Sequence, residues 1–144
     1  MLHAVLLLRR LEEGAVSELG QAVFDRFCRD MDESLREMGV GDLAVPKKMR
    51  RIGEAFYGRQ AVYRAALAVT RDDPLAAALE RNVFAGGLGG DGGFAPVPAE
   101  ASAKAGAHRL ACYVREAVGR LAAQDGFERG ELAFPDPEQV LVHP

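Results

Sequence analysis

The chain has 144 residues, of which 49% are hydrophobic and 27% are charged, and its formal net charge is -3. This composition is typical of one compact soluble domain and excludes a disordered tail or a membrane protein. The longest apolar runs, such as residues 4–8, are far shorter than the roughly 20 residues that cross a bilayer. Because the first positive charges follow the first apolar run rather than precede it, we expect no secretory signal and a cytoplasmic location.

The first half of the chain predicts three helices and no strand. Residues 4–11 are apolar and read as a helix that starts at the N-terminus without a capping residue. Over residues 17–38, large apolar side chains recur on one helix face, and Gly39 can close that helix in the left-handed conformation. Pro46 then suits the first turn of a third helix that reaches residue 69. In that helix, we expect Gly53 to let a neighbouring helix approach closely.

The second half predicts two more helices and a tail. Asp73 and Pro74 form an N-cap and a first-turn proline for a short helix that continues to about Phe84. Residues 86–98 are rich in glycine and read as a flexible loop, and a last helix covers residues 99–124. From Gly126 to residue 144 we expect an extended tail that lays Leu132 and Phe134 onto the helices. The fold class is therefore all-α: one domain, residues 1–144, built as a bundle of about five helices.

No pattern in the sequence predicts catalysis or a cofactor. The glycines at 87–92 match G-x-G-x-x-G, but they follow a helix, whereas a dinucleotide loop follows a strand. The three histidines are far apart, and Cys28 and Cys112 belong to no C-x-x-C motif, so we predict no metal site and no disulfide. The acidic residues of positions 30–37 alternate with arginines, which favours a solvated, salt-bridged helix face.

The clearest local signal is a basic cluster. Residues 47–64 contain six Lys or Arg against one Glu, in a chain that is acidic as a whole. Two interpretations stay open: a solvated helix back, or a rigid surface that meets an anionic or polar partner. The candidate partner-binding residues face outward or border that surface, and they are Asp42, Lys47, Lys48, Arg50, Arg51, Tyr57 and Arg59. A competing class is a nucleic-acid- or ribosome-binding module that uses the basic helix 46–64.

Several segments resemble one known family. Residues 30–43 (DMDESLREMGVGDL), 47–49 (KKM) and 56–59 (FYGR) with Tyr63 are similar to the ubiquinol-cytochrome c chaperone family. Residues 2–11, 81–84 (RNVF) and 134–137 (FPDP) fit the same pattern, so the likeness covers nearly the whole chain. It includes no catalytic motif.

The resemblance implies an assembly factor that binds newly made cytochrome b and assists assembly of the ubiquinol-cytochrome c reductase complex. It implies no enzymatic activity and no cofactor. Mitochondrial members act with a small partner protein near the ribosome, so these are the further partners it implies, with a location in the cytoplasm or peripheral at the inner membrane.

Family members usually carry an additional segment before the helix that begins here with Leu2 and His3. Without it, the apolar face of Leu2, Val5, Leu6 and Leu8 is expected to lie open. We therefore expect either self-association through this N-terminal helix or greater stability when upstream residues are present.

Overall fold

The computed structural model describes residues 2–13, 17–84 and 100–142. All regular secondary structure in these residues is helical, which confirms the all-α class. The α-helices are α1 (Leu2–Glu13), α2 (Ser17–Glu37), α3 (Val45–Leu67), α4 (Asp73–Leu79), α5 (Glu100–Ala122) and α6 (Pro137–Val142). A π-helical turn, Glu80–Phe84, follows α4, and a 3₁₀ turn, Phe127–Arg129, follows α5. The predicted Gly-rich loop, 86–98, lies outside the described residues.

The chain divides into two compact units, Met1–Gln60 and Ala61–Pro144. The first contains α1, α2 and most of α3, and the second contains the remaining helices. The single domain over residues 1–144 stays a prediction. Among the described residues, no helix has an apolar stretch long enough to cross a bilayer.

The core of the first unit is built from apolar stripes on three helices. Its buried side chains are Val5, Leu6, Leu8 and Leu11 of α1, Leu35 of α2, and Val45 and Phe56 of α3. At Gly20 of α2, a Cβ atom would lie 3.4 Å from Leu11 Cβ, so the absence of a side chain lets α1 and α2 approach closely.

Two expectations for this unit are wrong. Val5, Leu6 and Leu8 are buried, because α1 packs with α2 along this face. The predicted open surface is therefore not there, and self-association through it has no support. Gly53 meets no neighbour at the position of a Cβ atom, so it does not admit a close helix.

The core of the second unit lies between α4 and α5. Leu75 and Leu79 of α4 are fully buried, and α5 presents a stripe of mainly small buried residues, namely Ala103, Ala107, Ala111, Val114, Ala117 and Leu121. Small side chains at this spacing let the two helix backbones come close. The sequence pattern predicts one apolar face of this helix with Leu110, Tyr113, Val114, Ala117, Val118 and Leu121. Four of these are buried, whereas Leu110 and Val118 are half-buried.

Two local predictions in the second unit need correction. Asp72, not Asp73, is the N-cap residue of α4, and its side chain makes no capping bond because it accepts from Arg115 instead. The tail is not extended throughout: Pro137 begins α6, whose start is fixed when the Asp136 carboxylate accepts from the Glu138 backbone N–H at 2.9 Å. Phe134 is half-buried as predicted, whereas Leu132 is exposed.

Candidate partner-binding surface

The α2–α3 joint, residues 38–44, is closed by a regular hydrogen-bond pattern. Gly39 has φ 78°, and the amides of Gly39 and Val40 bond to the carbonyls of Arg36 (2.9 Å) and Leu35 (3.0 Å). This is a Schellman ending, in which the left-handed residue is glycine because a Cβ atom disfavours that conformation. The predicted role of Gly39 is confirmed.

The Arg36 side chain links the α2–α3 joint to α2 through two ion pairs. Its Nε lies 2.7 Å from a carboxylate oxygen of Asp32, and its Nη1 donates to Asp42. The hydrogen bond and charge of Asp32, followed by the charge of Asp42, raise the pKa of the Arg36 guanidinium. Asp42 itself is highly exposed, so one loop carboxylate is already paired while it stands in solvent.

Four basic side chains at the start of α3 face solvent, as the sequence predicted: Lys47, Lys48, Arg50 and Arg51, together called the basic face. Arg50 Nε lies 2.9 Å from Glu54 Oε1, one turn along the helix. Within residues 2–13, 17–84 and 100–142, the side chains of Lys47, Lys48 and Arg51 make no hydrogen bond or ion pair. These three cations therefore have no counter-charge among the residues that the structure describes.

The predicted exposure of Arg59 needs correction. It is only 9% exposed and interacts with other groups, so the prediction that it faces outward is wrong. The reason is helical register: Arg59 follows buried Phe56 by three residues and precedes buried Tyr63 by four, which places it on the buried stripe of α3. Gln60 is buried for the same reason.

Beside the basic face, α2 and α3 share an aromatic cluster. The Phe56 ring lies 5.6 Å from the rings of both Phe24 and Phe27 and 5.8 Å from that of Tyr57, all measured between centroids. Phe56 is buried, Phe24 and Phe27 are half-buried, and Tyr57 is 57% exposed. Tyr57 therefore lies at the rim of the cluster, as the sequence indicated.

An open cavity of about 150 Å³ lies against this cluster, and we call it the aromatic groove. It is lined by Leu8, Glu12, Gly20, Gln21, Phe24, Phe56, Tyr57 and Gln60. Gln60 Nε2 donates to Glu12 Oε1 at 2.9 Å, which adds a polar part to the wall of the groove. Sequence reasoning treated Phe24 and Phe56 as core and missed the groove, because its walls come from three separate helices.

Acidic side chains of α2 form ion pairs along the helix. No group of three His, Cys, Asp or Glu side chains among them could hold a metal ion. On α2, Arg26 pairs with Asp30 at 2.7 Å and Arg36 pairs with Asp32, which confirms the salt-bridged face predicted there. The candidate surface thus consists of the aromatic groove and the exposed charges of the basic face.

Comparisons with known proteins identify the family of this chain. The family model described as ubiquinol-cytochrome C chaperone matches residues 1–134. A second match is the crystal structure of the Cbp3 homolog from Brucella abortus, whose sequence is 33% identical to this one. The structural alignment covers 96% of this chain and 71% of that chain, with a TM-score of 0.74. No protein of curated function matches the chain significantly. The chain belongs to the ubiquinol-cytochrome c chaperone family, as the sequence resemblance indicated, and its class is that of an assembly factor.

Proposed function

We propose that this protein is a non-enzymatic chaperone that binds newly made cytochrome b and holds it for assembly into the ubiquinol-cytochrome c reductase complex. The observation that carries the proposal is the match of the family model over residues 1–134. A chaperone of a membrane subunit needs complementary surfaces rather than a reaction centre.

The aromatic groove supports this role as the contact for the client. Its aromatic wall, with Phe24 and Tyr57 incompletely buried, suits apolar side chains of a membrane protein that has not yet found its place. The pair of Gln60 and Glu12 offers polar atoms to a neighbouring backbone. A cavity of about 150 Å³ accepts one or two side chains, so the client lies across the groove rather than inside it.

The basic face and Asp42 complete the proposed partner-binding surface. Arg36 and the Schellman ending hold the joint at a fixed angle to α2, and the basic side chains project from the first turns of α3. A small partner protein or the ribosome is a further candidate for this face. Arg59 is left out because it is buried.

The test blocks the aromatic groove by substitutions at exposed positions and leaves the buried core residues unchanged. Gln21→Trp fills the groove from an exposed position, and Tyr57→Glu places a charge at its rim, while Leu132→Glu puts the same charge at an exposed apolar position in the second unit. Each tagged variant replaces the wild-type gene, and cytochrome b that is recovered with it is quantified.

We expect at least a tenfold loss of recovered cytochrome b, and of assembled reductase complex, for the two groove variants but not for Leu132→Glu. Melting temperatures measured in parallel separate this loss from unfolding. Folded groove variants that recover cytochrome b normally would contradict the proposed contact. Recovery of no cytochrome b by the wild-type protein would contradict the function. Partners that disappear with nuclease would instead favour the nucleic-acid-binding alternative.

A further inference from the structure

Two large apolar side chains project into solvent from the α2–α3 joint. Leu43 is 99% exposed and Met38 is 71% exposed, the highest values among large hydrophobic residues in the described part of the chain. A single exposed leucine on a soluble protein is ordinary. Two of them on one short connection, which the Schellman ending and Arg36 hold in place, form an ordered apolar tip.

Cations follow this connection directly, in the first two turns of α3. Lys47 and Lys48 occupy the first turn of α3, which contains no acidic residue, although positive charge there opposes the helix dipole. Lys47 and Arg51 are four residues apart on the same face, where like charges repel. Together with the lack of side-chain partners within residues 2–13, 17–84 and 100–142, this means that Lys47, Lys48 and Arg51 gain no stabilising ion pair there.

The nearby carboxylates leave a positive excess. Residues 36–54 carry five Lys or Arg against three Asp or Glu. Asp42 is bound by Arg36 and Glu54 is bound by Arg50, which leaves Glu37 as the third. The tip therefore combines exposed apolar groups with net positive charge.

We infer that this docking tip, formed by Met38, Leu43, Lys47, Lys48 and Arg51, seats the protein on an anionic bilayer surface. Leu43 and Met38 enter the boundary between headgroups and acyl chains, and the three cations meet lipid phosphates. This pairing of apolar and basic groups is the one by which peripheral proteins bind anionic membranes. The inference does not depend on cytochrome b binding, since purified protein and lipid suffice to test it.

Two other anionic or polar partners fit less well. Single-stranded nucleic acid is bound by aromatic side chains interleaved with cations. Tyr57, the exposed aromatic residue nearest to the basic face along α3, packs instead against Phe24 and Phe56. Cytoplasmic loops of a membrane protein carry an excess of Lys and Arg, so such a loop fits the aromatic groove and Asp42 better than the three cations of the tip.

The experiment uses the absence of tryptophan from the chain. Leu43→Trp introduces a single fluorescent reporter at the tip, and Leu132→Trp places the same reporter at an exposed apolar site in the second unit. Each protein is titrated with vesicles of phosphatidylcholine alone or of phosphatidylcholine with 30% phosphatidylglycerol. We expect a blue shift of tryptophan emission only for Leu43→Trp, only with the anionic vesicles, and reversible in 0.5 M salt.

Charge is tested separately by co-sedimentation with the same vesicles. Neutralising the tip with Lys47→Gln, Lys48→Gln and Arg51→Gln is expected to weaken partitioning roughly 100-fold. The matched control neutralises three exposed cations elsewhere, Arg26, Arg29 and Lys104, to glutamine, and we expect it to bind almost as the wild type does. Replacing Met38 and Leu43 by serine should also weaken binding.

An unshifted Leu43→Trp spectrum, or equal losses from the tip and control triple variants, would overturn the inference. Tip-dependent binding to polyuridylate without binding to vesicles would also overturn it and assign the cations to nucleic acid. Because every changed residue is exposed, no variant is expected to melt at a clearly lower temperature. The tip triple variant should melt slightly higher, because it removes charges that oppose the helix dipole and repel one another.

Discussion

Arg115 of α5 donates from Nε to the carboxylate of Asp72 at the start of α4, and its Nη2 donates at 2.7 Å to each of the carbonyls of Val69 and Arg71. One guanidinium thus binds three groups of the α3–α4 connection. Because its carboxylate accepts from Arg115, the Asp72 side chain makes no capping hydrogen bond to the first amides of α4.

Replacing Arg115 by alanine is expected to lower the free energy of unfolding by about 2–3 kcal/mol, since hydrogen bonds that involve a charged partner contribute about 1.5–3 kcal/mol. Urea unfolding followed by circular dichroism measures it. Arg120→Ala is the matched control on the same helix, because Arg120 is exposed and makes only a 3.6 Å contact with Glu116, and a change within about 0.5 kcal/mol is expected. Equal losses for the two variants would show that the connection does not need Arg115.

Replacement of glycine by alanine is expected to have opposite effects at two positions of α5. At Gly119 nothing lies within 4 Å of an added Cβ atom, so Gly119→Ala should stabilise the helix by about 0.5–1 kcal/mol. At Gly106 the added atom would lie 3.0 Å from Phe84 Cζ, so Gly106→Ala should lose that gain and destabilise the protein relative to Gly119→Ala by about 1–2 kcal/mol. Thermal melts of both variants measure the difference.

A double-mutant cycle with Phe84→Leu assigns the cause. If the ring is the obstacle, Gly106→Ala should be tolerated better in the Phe84→Leu background, with an interaction free energy above about 0.5 kcal/mol. Additive effects would mean that Phe84 does not press on Gly106.

The Gln124 side chain holds the segment after α5 through two hydrogen bonds to the Ala133 backbone. Its Oε1 accepts from the Ala133 amide at 2.8 Å, and its Nε2 donates at 2.8 Å to the Ala133 carbonyl. Gln124→Ala should therefore speed hydrogen exchange in residues 131–136 by roughly tenfold, equivalent to about 1.4 kcal/mol of local stability. Gln139→Ala on α6 is the control, and acceleration of the same size there would indicate general loosening of the tail.

The two cysteines should differ in reactivity. Burial, followed by the negative charge of Asp25, raises the pKa of the Cys28 thiol, whereas Cys112 is exposed on α5. A raised pKa means less thiolate at a given pH, so at pH 7.5 Cys112 should react first with a thiol reagent, and the Cys28 rate should continue to rise at higher pH. Labelling of Cys28→Ser and Cys112→Ser separately measures the two rates.

Asp25→Asn removes one cause of the shift and should speed labelling of Cys28 without changing Cys112. If Cys28 labels as fast as Cys112 in the wild type, the burial of its thiol is not maintained in solution.

Much of the helical framework could be predicted from local signals. The helix ends at Gly39 and Pro46 follow from backbone geometry that glycine and proline favour, and the structure places them there. The resemblance carried by residues 30–43 and 56–59 is confirmed by the family model and the solved homologue. The candidate surface was predicted only in part: exposure of the basic face agrees, and the burial of Arg59 does not.

What the sequence by itself determined is the all-α class, the extent of α2, α3 and α5, and the family, because these depend on periodicity, on individual turn residues and on ordered motifs. Only the tertiary structure decided that Asp72 accepts from Arg115 and that Phe24, Tyr57 and Gln60 line one groove. Asp72 and Arg115 are 43 positions apart, and Phe24 of α2 is 33 positions from Tyr57 and 36 from Gln60, both on α3. The free energy of such contacts depends on which helix faces pack together. A local pattern shows which face of a helix is apolar, but not which side chain of another helix will meet it.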